Sequence, residues 1–250
     1  MKNAAILLTL LVASSAAASD LEQLLLPVGP SVVHCAYASR YETRLLAVNL
    51  AGERAERFCM NGDCRDVAPM IAQEFDGGYA GGLAAPLWVY VPKETAEKMR
   101  LSLVVESAQQ AHPEERSFTE VPIVRASDFT SGKMQFIGVR IDPGFRQGVR
   151  VYGLTQEPAL LMMHVYSLET GEQIHECLHE IYPLSSEVTA EGLPLRPSYG
   201  MECDMSEELE HDGRKVRVEL EPLTPGLKYW AFLTVTNNAT QHFYTVTAAR

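Results

Sequence analysis

Residues 173–181 read QIHECLHEI, and within them His175-Glu176-Cys177-Leu178-His179 matches the H-E-x-x-H pattern used by zinc proteases. Whether this run is helix or strand decides the fold and the chemistry together. On a helix, His175 and His179 stand one turn apart and can share a zinc ion, with Glu176 polarising the attacking water. Ile174, Cys177, Leu178 and Ile181 fall at i, i+3, i+4 and i+7, and Thr170 with Gln173 has the form of a capping box. Other features oppose the helix. Pro183 ends it by Tyr182, Glu180 directly follows the second His, and none of Glu187, Glu191, Glu202 or Asp204 sits in a second ligand motif. Above all, Glu169-Thr170-Gly171-Glu172 reads as a hairpin turn after the strand-like MMHVYSL, 162–168. The motif then occupies the returning strand. His175, Cys177 and His179 share one face of such a strand and Glu176 the other, so the carboxylate cannot reach a water held by the two imidazoles.

The strand is the adopted reading, with no catalytic, cofactor-binding or metal-binding residue assigned. Two alternatives remain: a zinc metallopeptidase using His175, Glu176 and His179, and a structural metal clip of His175, Cys177 and His179, completed by Cys203.

Strand signals continue on both sides. In RKVRVELEPL (214–223), Val216, Val218 and Leu220 alternate with Arg217, Glu219 and Glu221, and Leu101, Leu103 and Val105 repeat the pattern in KMRLSLVVES (98–107). Short apolar or β-branched runs bounded by turn residues recur at YETRLLAVNL, GVRVYGLT, KYWAFLTVTNN and QHFYTVT. Segments 93–99 and 205–210 admit short helical readings and are most simply polar loop turns. Trp88 and Trp230 sit among apolar neighbours and are expected in the core. Many short strands without helical repeats predict an all-β chain of antiparallel sandwich type.

A weak internal repeat accompanies this pattern. YETRLLAVNLAGERA (41–55) aligns without a gap on FRQGVRVYGLTQEPA (145–159), and VAPMIAQEFDGG (67–78) on IYPLSSEVTAEG (181–192). The expectation is two tandem immunoglobulin-like β-sandwich modules, 19–110 and 129–250, joined by a polar linker at 111–128.

The chain opens MKNAAILLTLLVASSAAASD, a basic residue, a short apolar run and an A-x-A site, which reads as a secretory signal peptide over 1–18. No other stretch approaches a membrane span, so a secreted or periplasmic product without a transmembrane segment is expected. Removing Lys2 takes the formal charge from −11 to −12. That acidity, without any Lys/Arg cluster, disfavours nucleic acid and anionic lipid as partners. The cysteines are Cys35, Cys59, Cys64, Cys177 and Cys203, and an oxidising compartment favours bonding them. Cys59 and Cys64 flank an Asn-Gly turn and form one candidate pair, Cys177 and Cys203 a second, which leaves one thiol over.

No phosphate loop is present, since FDGGYAGGL (75–83) lacks a following Lys-Ser or Lys-Thr. There is no G-x-S-x-G, and Asp63, Asp66, Asp76, Asp204 and Asp212 form no calcium loop.

The segments LLLPVGP (24–30), SRYETRLLAVNLAG (39–52), VYSLETGEQIHECLHEIYPLS (165–185) and YWAFLTVTNNATQHFYTV (229–246) resemble a group of bacterial secreted proteins built from paired β-sandwich modules. The Cys59–Cys64 loop and the segment 201–205 depart from that pattern. The resemblance implies a fold and carries over no site residues. The function expected is a non-catalytic binding, adhesive or scaffold role, with an extracellular protein or glycan as ligand.

Overall fold

The computed structural model describes residues 20–29, 32–35, 39–51, 53–60, 63–75, 86–109, 111–183, 197–204, 209 and 212–249. The segment 1–18 read as a signal peptide, the glycine-rich 76–85 and much of 205–210 lie outside the described residues, as does the greater part of the 181–192 segment aligned as a repeat.

The chain is all-β, and its strand pairings are antiparallel. In its first half, β1 (Leu21–Leu26) pairs with β7 (Leu87–Pro92) and with the two-residue β10 (Val124–Arg125). A second sheet orders β2 (Val32–Cys35), β3 (Ser39–Asn49), β8 (Met99–Gln109) and β9 (Arg116–Val121), with β6 (Ala72–Phe75) also paired to β3. A separate two-stranded ribbon joins β4 (Glu56–Met60) to β5 (Asp63–Val67). The segment 93–98, expected as a loop turn, is instead a short helix, α1 (Lys93–Lys98). Lys98 pairs with Glu94 one turn back at 2.7 Å, which supports an otherwise exposed, uncapped turn and a half.

The second half forms one eight-stranded sheet from β11 (Met134–Arg140), β12 (Phe145–Gly153), β13 (Ala159–Ser167), β14 (Gln173–Pro183), β15 (Ser198–Asp204), β16 (Lys215–Pro222), β17 (Tyr229–Asn237) and β18 (Phe243–Thr247). Its order is β11-β16-β13-β14-β15-β12-β17-β18, and the two ends nearly meet: the Ala249 N–H, just past β18, donates to the Gln135 carbonyl at 2.8 Å. The sheet is therefore curled into a nearly closed barrel. Phe136, Val151, Leu161, Val165, Val218 and Leu233 are fully buried inside it. Tyr229 joins them, its hydroxyl within reach of the carbonyls of Gly132 at 2.9 Å and Leu220 at 3.0 Å, which share its single proton, so the buried O–H is satisfied.

Strand composition shows which side of the barrel is covered. β17, YWAFLTVTN, is buried at eight successive positions and so is packed on both faces. The first half of the chain reaches this outer side of the sheet through β12 and β18. Tyr152 stacks near Trp230, at 5.9 Å between centroids, and donates to the Pro27 carbonyl at 3.0 Å. Thr119 reaches the Phe243 carbonyl at 2.5 Å, and Tyr41 meets Phe243 edge-on at 6.1 Å. β13 alternates instead between buried and partly exposed positions, as a strand wetted on one side does. The uncovered face lies around β13.

Candidate functional site

The hairpin that carries the H-E-x-x-H motif turns where its residues predict. Ser167 and Glu172 are bonded across the turn at 2.9 Å, and Gly171 takes φ 75°, a conformation a side chain would strain. β14 then runs back along β13 in register from Ala159↔Ile181 to Val165↔His175. Ile174 is the extra residue of a bulge before Tyr166↔Gln173.

This strand removes the helical geometry on which the metallopeptidase alternative rested. His175, Cys177 and His179 point inward, His179 being only 3% exposed, while Glu176 points outward. Four residues along a strand also separate the two imidazole-bearing Cα atoms by about 13 Å, too far to share one ion at about 2 Å from each nitrogen. The metal clip meets the same spacing and a second obstacle, because Cys177 is disulfide-bonded and its sulfur is not a thiolate ligand. Among the described residues, the one group able to share an ion is His112, Glu114 and Glu115, all exposed on the β8–β9 turn. The cluster lies within the segment 111–128 read as a linker, where no motif marks it, and ligands this exposed give a cation little beyond what water offers.

The outward residues form the more informative site. Alternation on four adjacent strands builds cross-strand rows on the uncovered face. Glu219, His164 and Glu176 lie side by side across β16, β13 and β14, with Gln135 of β11 beyond Glu219. The next row is Glu221, Met162 and Leu178, and Leu160 then lies opposite Glu180. Leu160, Leu178, Tyr182, Leu223 and Ile137 are between 38% and 56% exposed here, large apolar side chains in water rather than in the core. Arg217 lies over the Tyr166 ring at 4.4 Å, a cation–π contact on the same face.

Lys133 knits the acidic half of the face, its Nζ 2.9 Å from both Glu219 Oε1 and Glu221 Oε2. Gln135 adds a donor to Glu219 Oε2 at 2.8 Å. His164 stands between Glu221 and a third carboxylate, Nε2 at 3.7 Å from Glu221 Oε2 and Nδ1 at 3.8 Å from Glu176 Oε2. The bonds from Glu221 and then Glu219 push the Lys133 ammonium well above its ordinary value. Lys133 in turn is the main cause holding the Glu219 carboxyl below its ordinary range, against the opposing effect of burial.

A carboxyl with a depressed folded value contributes stability that is present above its unfolded value of about 4.3 and is lost as pH falls through the folded value. Lys133→Met should therefore lower stability at pH 7 and raise the midpoint pH of acid unfolding, as followed by far-UV circular dichroism, with the loss shrinking as pH falls through the folded value of Glu219. Superimposable acid profiles would contradict this account of Glu219.

Beside Lys133, where the segment 122–130 meets the seam between β11 and β18, lies a cleft of about 460 Å³ bordered by Ile123, Lys133, Met134, Trp230 and Ala249. The face and this cleft are continuous through Lys133. Trp88 and Trp230 are both buried, as their apolar neighbours predicted. Cys59 and Cys64 form a disulfide across the β4–β5 ribbon, also as expected. The Cys203 backbone lies in β15 opposite Val149, and its side chain is outside the described residues.

No protein-family model, curated protein or solved structure matches the chain. Among the described residues no helix is long and apolar enough to cross a membrane.

Proposed function

We propose that the chain is a secreted or periplasmic binding, adhesive or scaffold protein that engages an extracellular protein or glycan through the uncovered face of β11, β16, β13 and β14. The observation that carries this reading is the exposed set Leu160, Leu178, Tyr182 and Leu223 beside a network of carboxylates, since large apolar side chains grouped in a polar rim mark interaction surfaces. The Cys59–Cys64 bond and the bonded Cys177 favour an oxidising compartment and so favour export. The signal-like N-terminus and the net acidity agree with it and disfavour nucleic acid.

The division into two immunoglobulin-like modules and the loose kinship with bacterial secreted tandem β-sandwich proteins belong to the same proposal. A parallel in pairing supports them: β3, an early long strand, pairs over its length with β8, as β12 does with β17. The barrel-like curl of the second half marks a departure from a simple pair of sandwiches.

The pairing of Cys177 with Cys203 is also proposed. Cys59 and Cys64 hold each other, which leaves Cys35 and Cys203 as partners for Cys177. Cys35 lies in the β2–β3 sheet, whereas Cys203 lies on β15, the neighbour of β14. Continuing the Ile181↔Gly200 register brings position 177 opposite 204, one residue from Cys203. Non-reducing peptide mapping should return a 177–203 linkage, and a 177–35 linkage would refute it.

The functional reading is tested with a Leu160→Glu/Leu178→Glu variant. Wild type should bind at least one member of an array of extracellular-matrix proteins and glycans, and the variant should bind it at least tenfold more weakly at an unchanged thermal midpoint. Equal binding by both proteins to every member would defeat it.

A further inference from the structure

We propose that the Cys59–Cys64 disulfide is a thiol–disulfide exchange site that takes two electrons from an extracellular dithiol, independently of the binding face. The two cysteines are directly opposed in the β4–β5 register. Alternation puts Arg57, Cys59, Cys64 and Asp66 on the solvent side of the ribbon, all exposed, and Phe58 and Val67 on the buried side.

The ribbon does not depend on the bond for its place. Phe58 is buried edge-on against Phe75 at 4.9 Å, and Arg65 lies over the same ring at 5.3 Å while donating to the Glu74 carbonyl at 2.8 Å. Asn49 Nδ2 ties down the strand end through the Val67 carbonyl at 3.1 Å and the preceding loop through the Arg54 carbonyl at 2.7 Å. A link between residues five apart in sequence also closes a very short loop, and the entropic gain from closure is smallest for short loops. A bond that contributes little to holding the fold, set on its water-facing surface, is accessible to attack along the sulfur–sulfur axis. The Arg57 guanidinium, two residues from Cys59 on the same face, offers a cation to the negative charge that develops on a departing sulfur, partly offset by Asp66, its ion-pair partner at 3.2 Å.

The reaction balances with a dithiol as co-reactant. One of its thiolates attacks Sγ of Cys59 or Cys64, the sulfur–sulfur bond breaks, and the other cysteine leaves as a thiolate that takes up a proton. The second thiolate of the dithiol then attacks its own sulfur in the mixed disulfide and releases the remaining cysteine. The dithiol is oxidised to a disulfide, and the chain gains two electrons and two protons.

Dithiothreitol is the probe. The full mature chain is treated without denaturant, quenched with an alkylating reagent at intervals, and mapped by mass spectrometry with near-UV circular dichroism alongside. Cys59 and Cys64 should become reduced at least tenfold faster than half-buried Cys177, with the dichroism unchanged. A Cys59→Ser/Cys64→Ser variant should lack the fast phase, and Arg57→Gln should slow it about threefold. Reduction no faster than that of Cys177, reduction only with loss of the near-UV signal, or a rate indifferent to Arg57 would each overturn the proposal.

Discussion

Tyr152→Ala is expected to destabilise the protein by about 4 kcal/mol, within the range for truncating a fully buried aromatic. Tyr152 is wholly buried on the outer side of the barrel, with Tyr199, Trp230 and Phe232 at centroid distances of 5.4, 5.9 and 6.2 Å. Its hydroxyl is also the donor to the Pro27 carbonyl, just after β1, so the same side chain joins the barrel to the first half of the chain. Truncation opens a ring-sized cavity at that junction and strands the carbonyl, and the thermal midpoint should fall by about 10 °C. Tyr152→Phe separates the two contributions: it keeps the stack and should cost about 1–2 kcal/mol for the unsatisfied acceptor alone. Equal losses in both variants, by calorimetry, would show that the hydroxyl rather than the stack holds the junction.

Phe58→Ala is expected to cost about 3 kcal/mol, at the low end for a buried Phe because a peripheral ribbon can partly collapse into the space. Phe58 is 1% exposed and is the main apolar tie between the ribbon and Phe75 of β6. Amide protons of β4 and β5 should exchange faster in this variant while those of β12 and β17 keep their protection. The Cys59→Ser/Cys64→Ser variant should cost less than Phe58→Ala in urea unfolding. The reverse order would mean that the disulfide, and not the Phe58–Phe75 contact, holds the ribbon.

Much of the fold was legible because its strands obey a period of two. Val216, Val218 and Leu220 are buried as their alternation implies, and the Glu169–Glu172 turn forces the H-E-x-x-H run into a returning strand. The Asn-Gly turn signal between Cys59 and Cys64 pointed to the ribbon and its disulfide. Three features were not legible, each for a physical reason. The helix Lys93–Lys98 rests on a salt bridge and its packing position rather than on a repeating apolar face, so its sequence looks like a loop. The near closure between β11 and β18 depends on pairing across more than a hundred residues, which local pattern does not encode. The candidate face was hidden because alternation shows that one side of a strand differs from the other but not which side another element covers. Leu160, Leu178 and Leu223 therefore read as ordinary strand apolars, whereas the first half of the chain meets β12 and β18 instead. His175 and His179 show the converse: the face these polar residues share turns inward, because Ile181 and Cys177 set the phase of the strand.

The central claim is that QIHECLHEI is a strand whose histidines face inward and whose Glu176 belongs to an outer binding face. Metal content of the purified mature chain, measured by inductively coupled plasma mass spectrometry beside a His175→Ala/His179→Ala variant, tests it most directly. The account predicts zinc far below one ion per chain, with no difference between the two proteins. One zinc per chain in wild type, absent from the variant, would contradict it.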